Sequence, residues 1–187
     1  EPRVALVAGY SPYDPPSFSK RLLYRFIEFE EFKGAIWAAG SIGMRKAWLC
    51  TGRNFAYRRA VWDEIGGFEK IKHSVSGDDD LLLQIVRRST DWKIHYLFSP
   101  ESRVKTAPPA SFTQFITQRR RHFSAGKYFS FPMKAFFFLF HFSNLLLFAG
   151  FFGALFLPEF GIGLWAFLVK LLLDSLLLAM AGRLFRL

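Results

Sequence analysis

Three consecutive carboxylates, Asp78, Asp79 and Asp80, stand directly before an apolar run in the segment SGDDDLLLQ. Adjacent like charges repel, and this repulsion raises the proton affinity of a carboxylate that lies among others. Such a carboxylate can act as a general base toward a hydroxyl group. Carboxylate oxygens also suit hard divalent cations. The segment is therefore a candidate catalytic or metal-binding site.

The same cluster also has a structural interpretation. Ser76 can cap a helix that follows it, and acidic residues in a first helical turn complement the helix dipole. One or two carboxylates are enough for that purpose, so we expect Asp80 to be structural and the other two to remain available for chemistry. Three adjacent acidic residues are unexpected here because the chain carries a formal net charge of +10.

A second polar constellation is the segment QRRRH. On a helix, Gln118, Arg121 and His122 are spaced i, i+3 and i+4 and share one face. This face offers several hydrogen-bond donors suited to a diphosphate, including a planar guanidinium. Arg119 and Arg120 are expected to point elsewhere, toward solvent or lipid headgroups, and a purely polybasic stretch beside a membrane is the alternative.

Alternating strand and helix patterns position these segments and predict an α/β layered domain. Gly52 and Asn54 in CTGRNFAYRR predict a tight backbone feature beside them. An amphipathic basic helix is expected over residues 111–128. The other predicted strands lie at 4–10, 92–98 and 103–110. Three further helices are predicted: one that begins at Ser17 or Ser19, one over 56–65 and one over 81–88.

The composition changes near residues 128–134, after which charges become rare. Residues 135–157 carry no formal charge, and residues 160–181 are interrupted only by Lys170 and Asp174. Each run exceeds the about 20 residues needed to cross a bilayer, so we predict a transmembrane hairpin with Pro158 and Glu159 in its turn. Lys170 and Asp174 are spaced i, i+4 and are expected to neutralise each other.

Charge asymmetry predicts the orientation of this hairpin. Basic residues flank both spans, whereas the turn has none. The positive-inside rule therefore predicts that the rest of the chain lies in the cytoplasm. We expect a multi-pass protein of the inner membrane. No nucleic-acid partner is expected. Cys50 is the single cysteine and excludes an intrachain disulfide. The opening on Glu1 suggests a fragment. The flanking basic residues are Arg103, Lys105, Arg119, Arg120, Arg121, Lys127, Lys134, Arg183 and Arg186.

The order CTGRNFAYRR, GGF, SGDDD and QRRRH before apolar helices resembles the C-terminal half of bacterial, processive-type membrane glycosyltransferases of family 2. Cellulose, hyaluronan and poly-N-acetylglucosamine synthases belong to that family. The resemblance implies a GT-A (nucleotide-diphospho-sugar transferase-like) domain, whose C-terminal part would occupy residues 1–109. An interfacial helix would follow at 110–130 and a transmembrane hairpin at 131–187.

The resemblance also implies site residues and ligands. Asp79 would be the catalytic base, with Asp78 as its acidic neighbour and Asp80 in a structural role. The register is uncertain by one residue, since the family's EDxDL motif could instead match Asp78 and Asp80. Gln118 and Arg121 match the family's Q-x-x-R-W motif, which holds the donor diphosphate and the acceptor end, whereas His122 replaces the tryptophan. Gly52 and Asn54 would line the acceptor cleft. A Mg or Mn ion is implied, but its D-x-D ligands would lie upstream of these residues.

The function implied is inverting transfer of a hexose from a nucleotide-sugar, expected to be a UDP-sugar, to a saccharide during polysaccharide synthesis at the lipid bilayer. Two alternatives stay open. One is non-processive glycosylation of a lipid-linked acceptor, and the other is a basic membrane scaffold without chemistry. The scaffold predicts that the acidic cluster and the Gln118/Arg121 face lie far apart. A fragment without the donor-binding half is expected to be inactive.

Overall fold

The computed structural model describes residues 3–15, 21–74, 76–157 and 161–187. The chain divides into two compact units, Glu1–Tyr128 and Phe129–Leu187. Each unit is described by itself.

The first unit is built on a small mixed sheet. Strand β1 (Val4–Gly9) pairs antiparallel with β2 (Phe55–Tyr57) and parallel with β3 (Lys93–Leu97), which gives the order β2-β1-β3. The central strand is largely buried because it has neighbours on both sides. Its most buried side chains are Ala5, Leu6 and Ala8. The strands predicted at 4–10 and 92–98 and the mixed α/β class are thereby confirmed.

Helix α1 (Arg21–Gly43) supplies part of the core of this unit. Ile27 packs into a cluster with Tyr13 and Phe115, and Ala35, Ala38 and Ile42 are buried further along the helix. Leu22 is 85% exposed because it projects away from that contact. The predicted capping positions, Ser17 and Ser19, lie outside the described residues.

Two predictions of secondary structure were wrong. The helix expected over 56–65 begins only at α2 (Arg59–Ile65), since the preceding residues extend to pair with β1 as strand β2. Residues 103–110 do not form a strand. They make a single bridge, between Thr106 and Tyr13, because the prolines that follow lack the N–H group that a ladder requires.

Helix α3 (Asp78–Ser89) begins with the acidic cluster itself rather than after it. The prediction that Ser76 caps this helix was wrong, because the N-cap position is occupied by Gly77 and no side chain caps the helix. Gly77 has φ of +77°, a left-handed conformation that favours glycine. A side chain at this position would also overlap the Cβ of Ala125.

The basic segment forms α4 (Phe112–Ser124), followed by a short 3-10 helix, Ala125–Tyr128. Ser111 caps α4 by accepting the N–H of Gln114 at 3.2 Å. Phe115 is buried against the Tyr13 and Ile27 cluster, which fixes α4 on α1. At the other end, the Tyr128 hydroxyl donates to the carbonyl of His73. The helix is therefore held at both ends within the first unit.

The second unit consists of α5 (Phe131–Phe156) and α6 (Gly161–Leu184), which pack against each other. Both helices are long and apolar enough to cross a membrane, by length and composition. Gly150 and Gly163 let the two backbones approach so closely that a side chain at Gly163 would overlap the opposite backbone. Lys170 and Asp174 form the expected ion pair. The predicted turn at Pro158 and Glu159 lies outside the described residues.

We predict that Gly77→Ala destabilises the first unit by at least about 2 kcal/mol, because alanine is strained at positive φ and its methyl group would overlap Ala125. The control is Gly34→Ala within α1, where a side chain meets nothing within 4 Å, and alanine should stabilise the helix by up to about 1 kcal/mol. Thermal unfolding of the whole chain in detergent measures both changes. Equal melting temperatures for the two variants would contradict the assigned conformation.

Candidate functional site

Asp79 is held by two backbone N–H groups. Its Oδ2 atom accepts from Gly52 at 2.7 Å, and its Oδ1 atom accepts from the N–H of Asp80 at 2.9 Å. The position of Gly52 leaves little room for a side chain, since a Cβ there would lie 3.0 Å from Asp79 Oδ2. Asp79 is still partly exposed. The carboxylate is thus fixed in orientation while remaining accessible from solvent.

Asp80 has a different environment. Its Oδ1 atom accepts the N–H of Cys50 at 2.9 Å, which ties helix α3 to the segment before Gly52. Burial raises the pKa of Asp80 well above its usual value, and the neighbouring Asp79 charge and then Asp78 raise it further. This contact agrees with a structural part for Asp80. Asp78 is exposed at the start of the helix.

Gln84 reinforces the same attachment one turn later. It is 4% exposed, and its amide donates to the carbonyls of Trp48 at 3.4 Å and Asp80 at 3.2 Å. Helix α3 therefore fastens the whole segment 48–52 through Gln84, Asp80 and Asp79.

The only metal-like cluster among the described residues is formed by Cys50, Asp79 and Asp80, whose ligand atoms lie within 4.8 Å of one another. Burial and the adjacent aspartates raise the pKa of the Cys50 thiol well above its usual value, so it stays protonated. A protonated thiol is a poor ligand, and Mg and Mn prefer oxygen ligands. Both carboxylates already accept backbone N–H groups. The cluster does not fit a Mg or Mn ion.

Asn54 fastens a different pair of segments. Its Nδ2 atom donates to the carbonyl of Tyr10 at 2.9 Å and to that of Ser102 at 2.7 Å. There is no room for a side chain at Gly9, at the end of β1, since a Cβ there would lie 2.6 Å from Asn54 Nδ2. The tight backbone feature predicted around Gly52 and Asn54 is a 3-10 turn, Gly52–Asn54. A substrate contact by Asn54 stays a prediction.

A surface cleft of about 290 Å³ lies beside this turn and contains Gln118. The turn contributes Arg53, which was not singled out by the sequence, and α4 contributes Gln118. The complete lining is Tyr13, Arg53, Thr106, Ala107, Pro108, Pro109, Gln114 and Gln118. The GRN motif and the QRRRH motif therefore meet in one cleft.

His122 lies close enough to the acidic cluster to sense its charge. Although part of its side chain is exposed, partial burial of the ring lowers its pKa, and the charge of Arg119 lowers it further. Asp79 acts in the opposite direction, whereas Arg121 and Arg53 also lower this pKa. The charge of Asp79 and the charges of three guanidinium groups therefore act on the pKa of His122 in opposite directions.

The arginines of α4 are arranged differently from the prediction in one respect. Arg121 and Arg120 are exposed. Arg119 was expected to point toward solvent or headgroups, but its guanidinium lies over the ring of Phe115 at 5.0 Å. Its Nε atom is buried and has no hydrogen-bond partner. The reason is that Phe115, one turn earlier, provides an aromatic face for the guanidinium.

The predicted site residues thus fall into two groups that adjoin each other. Asp79 and Gly52 form a hydrogen-bonded pair, and His122 lies within range of the Asp79 charge. Gln118 lines the cleft together with Arg53. Sequence reasoning missed Arg53 and Tyr13, although Arg53 stands between the two residues it selected. The sequence feature that could have identified Arg53 is a charged residue inside a turn otherwise formed by small or amide side chains.

A larger surface cavity of about 410 Å³ lies elsewhere, around Trp62, Gly67 and Phe68. It contains none of the predicted site residues. Its aromatic rings pack mainly on each other, since Tyr57 stacks on Trp62 at 5.3 Å and Phe68 contacts Trp62 edge-on at 4.5 Å. The smaller cleft contains Gln118, one of the predicted site residues, so size alone does not identify the site here.

Comparison with known proteins gives one match. A family model described as glycosyl transferase family group 2 matches residues 2–185. No curated protein and no solved structure matches the chain.

We predict that Asp80→Asn gains stability relative to the unchanged chain as the pH rises from about 4 toward neutrality. The folded-state pKa of Asp80 is raised, so ionisation is favoured in the unfolded state, and the unchanged chain loses stability as pH rises through that window. Asparagine does not ionise and can still accept the Cys50 N–H group. Melting temperatures at several pH values measure the difference.

Asp91→Asn is the matched control for this series, because Asp91 is an exposed carboxylate at the end of α3. Its melting temperatures over the same pH range show the effect of removing a carboxylate away from the cluster. A pH-independent difference for Asp80→Asn, or one that favours the unchanged chain as pH rises, would contradict the raised pKa of Asp80.

Proposed function

The chain belongs to glycosyl transferase family group 2, and we propose that it transfers a sugar from a nucleotide-sugar to a saccharide acceptor with inversion at the anomeric carbon. The supporting observation is the juxtaposition of Asp79, fixed by Gly52, with the polar residues of α4. The scaffold alternative expects these segments to lie far apart. Their proximity favours an enzyme.

In this proposal Asp79 removes the proton of the acceptor hydroxyl as its oxygen attacks the anomeric carbon. The two N–H groups on Asp79 fix the carboxylate, and each of its oxygens retains a lone pair that can accept the proton. Orientation matters because a base must lie within hydrogen-bond reach of the proton that it takes. Asp78 is the acidic neighbour that increases the negative charge near the site.

The leaving nucleoside diphosphate gains negative charge as the bond to the sugar breaks. Arg121 and Gln118 would donate hydrogen bonds to it, with the greatest effect where charge develops. His122 would face the same region in place of an indole ring. A divalent cation is expected from the family resemblance, but the described residues do not form a fitting site, and no step here depends on one.

The membrane setting is part of the proposal. Two membrane-length helices follow a helix with a basic segment, an arrangement that suits an active site at the cytoplasmic face of the inner membrane. A saccharide acceptor of a growing polymer and a lipid-linked acceptor remain alternatives, since His122 offers a smaller ring than tryptophan for stacking on a sugar.

We predict that Asp79→Asn lowers the turnover number at least about 100-fold, because the amide cannot accept the acceptor proton. Asparagine keeps the size but has only one acceptor oxygen for the Gly52 and Asp80 N–H groups, so a modest fall in melting temperature is expected and the rate is measured below it. Transfer of radiolabelled sugar from a panel of nucleotide-sugars to saccharide and lipid-linked acceptors, measured with the full-length protein in lipid nanodiscs, gives the rate. Asp91→Asn should keep the original rate, and near-normal transfer by Asp79→Asn would exclude its action as the base.

Arg121→Ala is predicted to lower turnover about 100-fold, as expected for loss of a donor to developing charge. Arg120→Ala is the matched control, since Arg120 is the adjacent exposed arginine of the same helix and has the same charge. The same nanodisc assay compares them. If both variants lose the same small amount of activity, α4 acts only through its net charge.

A further inference from the structure

Arg53 is the only charged residue among the described residues that line the 290 Å³ cleft. Its neighbours there include the hydroxyl groups of Tyr13 and Thr106 and the amides of Gln114 and Gln118. No carboxylate is in the lining. A cation surrounded by neutral hydrogen-bond donors is an arrangement that suits an anion with several oxygens.

The guanidinium of Arg53 is held in place before any ligand arrives. Its Nη2 atom contacts Glu31 Oε1 at 2.5 Å, and its plane lies over the ring of Tyr13 at 4.9 Å. The Arg53 and Glu31 side chains are 29% and 12% exposed. A guanidinium has five N–H donors, so the contact with Glu31 leaves others for a ligand. Little side-chain freedom would be lost on binding.

The charges that act on His122, one turn after Gln118 on α4, are mainly positive. Arg53, Arg119 and Arg121 all lower the pKa of His122, and only Asp79 opposes them. Positive groups from the turn and from α4 therefore converge on one region, where an anionic ligand would balance them.

We propose that Arg53 is a specificity-determining residue that binds a phosphate group of the substrate in the cleft it shares with Gln118. This inference rests on the proposed function, because the substrates of such a reaction carry phosphate. The phosphate belongs either to the nucleotide-sugar donor, as a diphosphate, or to a lipid-linked acceptor, as a phosphate ester. Arg53 adjoins Gly52, whose N–H group holds Asp79, so the bound phosphate would lie near the reacting hydroxyl.

The test uses two probes, inorganic pyrophosphate for the donor and farnesyl phosphate for a lipid-linked acceptor. Binding to the full chain in nanodiscs is measured by calorimetry for Arg53→Gln, Glu31→Gln and Arg88→Gln. Arg88 is exposed near the end of α3 and provides the charge control. We expect Arg53→Gln to weaken at least one probe about 10- to 100-fold, the loss typical of a charge-assisted hydrogen bond.

Glu31→Gln separates binding from positioning. Both substitutions break the Arg53–Glu31 ion pair, but Glu31→Gln keeps the guanidinium and removes a negative charge beside it. Binding should therefore be unchanged or tighter in Glu31→Gln. Equal weakening in both variants would mean that the pair only holds the turn, and the proposal would be wrong. The probe affected by Arg53→Gln identifies the source of the phosphate.

The remaining outcomes are also decisive. If neither probe binds the unchanged chain, or if Arg53→Gln binds both as tightly as the unchanged chain does, Arg53 is not a phosphate ligand. Should Asp79→Asn retain sugar transfer while Arg53→Gln loses a probe, the proposed base is overturned and the phosphate site stands.

Discussion

The attachment of segment 50–52 to the first turn of α3 is the constraint on which the site depends. Asp80 accepts the Cys50 N–H group and Asp79 accepts the Gly52 N–H group, so consecutive carboxylates bind alternate residues of an extended segment. These bonds bring together residues about thirty positions apart in the chain. They also explain why a cluster of like charges is tolerated, since backbone donors and proton uptake by Asp80 offset the repulsion.

A second constraint places the basic helix beside this attachment. Gly77, immediately before the acidic residues, lies against Ala125 at the end of α4, and any larger residue would separate them. Phe115 fixes the start of the same helix on α1. The orientation of the polar face of α4 is therefore determined by contacts at the two ends of the helix. These contacts are made by apolar side chains or by the backbone. The exposed side chains of Arg120 and Arg121 remain accessible to a ligand.

Local patterns predicted β1 and the two apolar helices well, because β1 is a short apolar run and the two helices are long segments almost without charge. They failed at 103–110, since a strand depends on a partner that no local pattern reveals. The site was predicted from motif residues such as Asp79 and Gln118. Arg53 could not be found that way, because its place in the cleft depends on Glu31 and Tyr13, which precede it by more than twenty residues.

The surroundings of His122 keep its side chain mainly uncharged, although histidine stands where the family motif has tryptophan. A histidine among carboxylates would normally be expected to gain a proton, yet partial burial and the surrounding arginines lower its pKa. At neutral pH the ring is therefore mainly uncharged. A neutral imidazole still offers a flat aromatic face, and it can donate or accept one hydrogen bond at each nitrogen. The position thus keeps an aromatic surface where an indole is the family's residue, and it adds hydrogen-bonding capacity without adding charge.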